Sequence, residues 1–168
     1  MSICPPMSIL ISLGAWPPGD QPLGGLALRG KQLVRHWSTT QSTVTLSSAE
    51  AELGGITKGA STSMGLVSLA KDLGFSWTIS LHTDSTAAVG IYRRRGLGKI
   101  RHLATADLWV QDRIRTGDFT IHKALGTENM ADMLAKHVDR STLLKHLEAL
   151  NLKTEAGRPA LAPKIDST

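Results

Sequence analysis

Cysteine, aromatic rings and long apolar runs are all scarce in this chain of 168 residues, and each scarcity excludes something. A single cysteine, Cys4, rules out an internal disulfide and fits a reducing compartment. The one N-terminal apolar run, 8–13, is far too short to span a bilayer, and no basic segment precedes it as a signal peptide requires. The expectation is an intracellular protein, cytoplasmic or nuclear, neither secreted nor membrane-bound. Aromatic residues make up 4% of the chain, with one Tyr and two Phe, so base stacking is a poor candidate for its main mode of binding. Acids are rare at the start as well: Asp20 is the only one before Glu50.

Positive charge, by contrast, is in excess and unevenly placed. The net charge of +5 points to an anionic partner. Between Ile91 and Arg115 seven basic residues (Arg93, Arg94, Arg95, Lys99, Arg101, Arg113 and Arg115) face two acids, Asp107 and Asp112. Charge runs often do no more than keep a surface solvated. Here Arg93, Arg94, Arg95, Lys99, Arg101 and His102 follow closely on Asp84 and its helix, which favours contact with phosphates that is salt-dependent and blind to base sequence.

Length and an ordinary 41% hydrophobic content support one domain with loose ends. Residues 1–24 are rich in Pro and Gly and read as irregular apart from a possible strand at 8–13. Residues 25–150 read as the folded domain, and 151–168 as a flexible tail. Short strands at 26–28 and 32–37, joined by a turn at 29–31 and extended at 42–46, suggest a meander. Ser47 and Glu50 make a capping box, and apolar residues from Ala49 to Ala70 recur at helical spacing, so a long helix should run to about Gly74. Alternation predicts a strand over 77–84, ending in Asp84. Ser85 or Thr86 then caps a short helix to Tyr92. A helix over 103–115 stopping at Gly117, a strand over 119–125, a helix from Thr127 to about 138 and a last one over 141–150 complete the order. Trp37, Trp77 and Trp109 are most simply core residues.

Three acids stand out by position. Glu52 lies in the first turns of the long helix at the edge of its apolar stripe, and Asp84 ends a strand, where ligands gather in α/β sheets. Asp132 falls in the first turns of a late helix. Carboxylates brought together from distant parts of a chain are what hard divalent cations require. His102 and His122 suit structural roles as well as catalytic ones, and His137 suits a charge at a helix C-terminus.

The segments TVTLSSAEAEL, LHTDSTAAVGI and GLGKIRHLATADLWVQDRIRTGDFTIHKALGTENMADMLAKH, in this order, resemble the ribonuclease H domain of copia-type retrotransposon Pol polyproteins. The resemblance covers about 26–150. It implies a ribonuclease H-like α/β fold with a mixed central sheet flanked by helices. It also implies hydrolysis of the RNA strand of RNA–DNA hybrids by two Mg²⁺ or Mn²⁺ ions about 3.5–4 Å apart, with Glu52, Asp84 and Asp132 as metal ligands and catalytic residues. Reverse transcriptase and integrase domains of a parent polyprotein are the implied protein partners.

The resemblance fails where the family's first strand carries Ser-Asp-Ala-Asp-Trp. The nearest counterpart, residues 12–16, retains Ser12 and Trp16 but has Leu13 and Ala15 in place of the two acids. Asp20 sits in the Pro/Gly-rich segment and is poorly placed to substitute. The first strand is therefore expected to be degenerate or missing, and hydrolysis impaired. Three functions compete: a weakened hybrid nuclease, an inactive remnant that still binds nucleic acid, and an integrase or transposase of related fold. The wording around the acids favours the first over the third.

Overall fold

The computed structural model describes residues 6–14, 21–41, 48–94 and 105–154. Three strands open the fold: β1 at Met7–Leu13, β2 at Pro22–Arg29 and β3 at Gln32–Thr40. The possible strand at 8–13 is present as β1, one residue longer, and 1–24 also holds the start of β2, which begins four residues before the expected Leu26. The run MSILISL is apolar and β-branched, and its centre is buried on both faces, which outweighs the prolines around it. The turn between β2 and β3 uses Gly30 at φ 59°.

Helix α1 occupies Ser48–Asp72 and closes at Gly74, whose φ of 83° lets Phe75 donate back to the carbonyl of Ala70 at 2.8 Å. β4 (Ile79–Thr83) begins two residues after Trp77 and stops just before Asp84. α2 (Thr86–Arg93) is capped by Ser85, whose hydroxyl accepts from the Ala88 N–H. α3 (Thr105–Thr116), the Gly117 turn at φ 86° and β5 (Phe119–Lys123) follow in the expected order. The extension at 42–46, the capping Ser47, Trp16, Asp20 and the basic residues Arg95, Lys99, Arg101 and His102 lie outside the described residues.

The helix expected from Thr127 to 138 is not continuous. A 3-10 turn at Gly126–Glu128 is followed by a single short turn of helix, α4, at Asp132–Ala135. The cause is tertiary. Asn129 is fully buried, its side-chain amide donates to the Ile11 carbonyl of β1 at 2.9 Å, and its carbonyl oxygen accepts from Ala131 N–H. That anchoring satisfies a polar group the interior could not leave unpaired, and it pulls the chain out of helical geometry. α5 (Arg140–Ala149) starts one residue earlier than expected, with Asp139 as its cap.

The five strands run in the order β3-β2-β1-β4-β5. β1 is antiparallel to β2 and β2 to β3, whereas β1, β4 and β5 are parallel, so the sheet is mixed and β1 lies at its centre. Met7, Ile9 and Ile11 turn one face of β1 toward α1, joining Leu53, Ile56, Leu81, Tyr92, Val110 and Phe119 in the larger core. Leu10 turns the other way and packs with Leu26, Leu28, Ala131 and Leu150. Helices therefore flank both faces, as expected. Trp37 is buried in the larger core, and Trp77 and Trp109 pack against it partly buried.

Candidate carboxylate centre

The parallel register of β1 and β4 sets the site. Ile11 pairs with Thr83, so Ser12 and Asp84, the next residues in each strand direction, leave the sheet at the same level. Leu13 is not the residue that faces Asp132. Side chains alternate along a strand, and Leu13 points into the α1 core while Ser12 points to the opposite face. There the fully buried Ser12 donates its hydroxyl to Oδ1 of Asp132 at 2.5 Å. The position level with Asp84 is thus filled by a hydroxyl that gives a proton, where a carboxylate would offer two acceptors.

Asp132 reaches this point because α4 packs close against the sheet. A methyl group added at Gly24, the β2 partner of Ser12, would come within 2.7 Å of the Ala131 carbonyl and 2.8 Å of Leu134 Cβ. Only glycine permits so close an approach, and together with the Asn129 anchor it fixes the height of Asp132 over β1.

Glu52 comes from the far side, on α1. Its Oε2 accepts from the hydroxyl of the buried Thr83 at 3.2 Å, and Thr83 Oγ1 in turn accepts from Ser85 N–H. Burial, then the negative charge of Asp84, push the Glu52 carboxyl up to about 7; the Thr83 bond and Lys136 oppose that rise. The charge of Asp132 adds to it. The three acids expected from sequence are therefore close enough to feel one another.

A fourth group completes the arrangement, and the sequence reading missed it. The Lys136 ammonium stands 3.3 Å from Asp132 Oδ1 and 3.7 Å from Asp84 Oδ2, and donates a hydrogen bond to the former. Its signal was in ADMLAK all along, as an acid and a lysine four residues apart, the spacing that pairs them on a helical turn. Thr83, which orients Glu52, was likewise passed over beside its acidic neighbour.

A two-ion centre needs several carboxylates with open lone pairs and a strongly negative cradle. These residues do not meet that need. Among the described residues no group of three or more His, Cys, Asp and Glu side chains is gathered closely enough to hold a metal ion. One oxygen of Asp132 is engaged by both Ser12 and Lys136. With Lys136 charged, the cluster carries two negative charges when Glu52 is ionised and one when it is protonated.

Of the expected nucleic-acid contacts, Arg93 and Arg94 lie in the described residues. Arg93 donates to the Ile121 carbonyl at 2.9 Å and ties α2 to β5. Arg94 is exposed at the end of α2. Both line a groove of about 460 Å³ between α2 and α3, with Leu108, Asp112 and Arg115 on its other wall. Arg115 is paired with Asp112. His122 stacks on His82 across β4 and β5, ring centres 5.3 Å apart, which gives it a structural partner.

Solved structures resemble this fold. LC11-RNase H1, isolated from compost by a metagenomic approach, superposes with a TM-score of 0.56 at 16% identity, covering 84% of this chain and 98% of that one. The fold is ribonuclease H-like. RNase H1 of the halophilic archaeon Halobacterium salinarum NRC-1 matches with a TM-score of 0.48 at 20% identity over 77% of this chain and 93% of that one. The foamy viral protease-reverse transcriptase, solved in complex with an RNA/DNA hybrid, matches at 0.48 and 17% identity over 77% of this chain and 19% of that one. No known family profile and no curated protein matches the chain. On the ribonuclease H-like fold described above, Glu52, Ser12, Asp84 and Asp132 converge from one helix, two neighbouring parallel strands and a late helical turn. Among the described residues no helix is long and apolar enough to cross a membrane.

Proposed function

We propose that this chain is a ribonuclease H-like domain derived from a copia-type retrotransposon Pol polyprotein, one that engages RNA–DNA hybrids and whose metal-dependent hydrolysis of the RNA strand is impaired. The reading rests on the convergence of Glu52, Asp84 and Asp132 around the end of β1 and β4 in a ribonuclease H-like fold. Impairment follows from Leu13, which stands where the family's first strand carries its first aspartate, so that β1 offers Asp132 only the hydroxyl of Ser12. A second reading, a catalytically inactive domain that retains hybrid binding, is favoured by the ammonium of Lys136 between Asp84 and Asp132. Arg93, Arg94, Arg95, Lys99, Arg101 and His102 are the residues we assign to hybrid contact, Mg²⁺ or Mn²⁺ the ions any residual hydrolysis would use, and reverse transcriptase and integrase domains its ancestral neighbours.

A labelled RNA–DNA hybrid incubated with the chain in Mg²⁺ and in Mn²⁺ separates the two. Slow cleavage that disappears in Glu52→Gln and Asp84→Asn supports the impaired nuclease. Salt-sensitive binding with no cleavage supports the inactive binder, and absence of binding sinks both. Leu13→Asp should raise cleavage in Mn²⁺ on the order of tenfold or more by returning a carboxylate to β1. Unchanged cleavage in that variant would remove Leu13 as the cause of impairment.

A further inference from the structure

In this fold the end of the central strand is surrounded by acids from three other elements, and such a cluster is costly to bury without a cation. Here the cation is already part of the chain. Lys136 follows α4 directly, its backbone N–H donating to the Asp132 carbonyl at 2.7 Å, so the backbone that positions Asp132 also positions the lysine. Its ammonium is within 4 Å of carboxylates from two different elements, Asp132 of α4 and Asp84 beyond β4. Ser12 supplies a second donor to the same Oδ1 of Asp132 from β1. The lysine side chain is about one-third exposed, and those of Asp84 and Asp132 less so, which shields the pairs from full solvent screening.

We propose that Lys136 and Ser12 form a built-in clamp that takes the place of divalent ions, so that the charge of Asp84 and Asp132 is partly offset by the protein itself and the cluster stands folded without metal. This deepens the reading of the same cluster given above and rests on its assignment of Glu52, Asp84 and Asp132 to one centre. The chemistry is substitution of one charge type for another. An ammonium satisfies carboxylates by hydrogen bonds and a single positive charge, whereas a hard dication needs several oxygen atoms with free lone pairs, and Asp132 Oδ1 already accepts two donors. A metal entering the cluster must first displace Lys136 and break the Ser12 bond.

The test measures Mn²⁺ binding to the full chain by the loss of the free-ion paramagnetic resonance signal, with no nucleic acid present. Hybrid binding and cleavage therefore play no part in the readout, and failure of the proposed function leaves this result standing. Wild type and Lys136→Arg should bind Mn²⁺ weakly. Lys136→Met should bind at least about tenfold more tightly, equivalent to about 1.4 kcal/mol. Melting in EDTA should be lower for Lys136→Met than for wild type, and added Mn²⁺ should raise it in that variant alone. Equal affinity in wild type and Lys136→Met, whether tight or negligible, overturns the proposal. A second measurement needs no variant. Amine acylation of Lys136 in the wild-type chain, read by mass spectrometry, should be unaffected by millimolar Mn²⁺; acceleration by Mn²⁺ would mean that the ion displaces the lysine and would equally overturn it.

Discussion

A carboxyl group buried beside other acids holds its proton more tightly than one in water, and Glu52, held near pKa 7 by burial first and by Asp84 second, makes the fold sensitive to pH. Between the ordinary glutamate value and 7 the folded chain binds more protons than the unfolded one, so stability falls as pH rises through that window and the full penalty applies above it. The penalty is about 3–4 kcal/mol at full ionisation. Urea unfolding in EDTA should thus show wild type losing stability from about pH 5 to about pH 8, while Glu52→Gln flattens the slope and is the more stable protein at the upper end. Parallel slopes for the two proteins would show that Glu52 ionises freely. At the same scale, Asn129→Ala leaves the Ile11 carbonyl without its buried donor and frees the segment before α4. A loss of about 2–3 kcal/mol in urea unfolding is expected, and a loss below about 0.5 would mean that α4 is held by apolar packing alone.

Among the elements, α1 carries the sharpest contrast between positions of one residue type. Gly59 faces the sheet, where an added methyl would stand 2.7 Å from Ile11 Cδ1 and 3.0 Å from Ile9 Cγ2, whereas at Gly65 it would meet nothing within 4 Å. Gly65→Ala should stabilise by about 0.5–1 kcal/mol through helix propensity, and Gly59→Ala should destabilise by about 1–3 kcal/mol by forcing helix and sheet apart. Thermal melts of the two single variants decide this, and a shift of the same sign in both would contradict the packing. That contrast also marks what sequence could show. The stripe of α1 is visible as spacing, as are β4, α3 and β5, because each element's periodicity is long enough to be read locally. The break between Asn129 and Ala131 is invisible to spacing, since the partner that causes it, Ile11, lies 118 residues away. The same applies to the site. Glu52, Asp84 and Asp132 were legible from the motifs around them. That Ser12 and not Leu13 meets Asp132 depends on the register of β1, and a shift of one residue exchanges the two faces.

Considered as a whole, the molecule is cationic, and the excess sits in one stretch of chain around the end of α2 and the start of α3. A phosphate backbone binds such a surface by releasing condensed counterions, so the logarithm of the binding constant should fall linearly with that of the salt concentration, each phosphate contact adding about 0.7–0.9 to the slope. The cluster of carboxylates acts in the opposite direction and should be felt as a local repulsion that Lys136 reduces. Fluorescence anisotropy with an RNA–DNA hybrid across a salt series tests the placement of the partner surface. Arg95→Gln with Arg101→Gln should weaken binding and reduce the slope by about 1.4–1.8, in proportion to the two contacts removed. Lys31→Gln with Arg35→Gln removes the same total charge from the exposed β2–β3 hairpin and should change the slope by less than about 0.5. Equal losses in the two double variants would mean that net charge alone attracts the hybrid and that no oriented surface exists. A loss confined to the first pair would assign the partner surface to the 91–115 stretch, where the charge is concentrated.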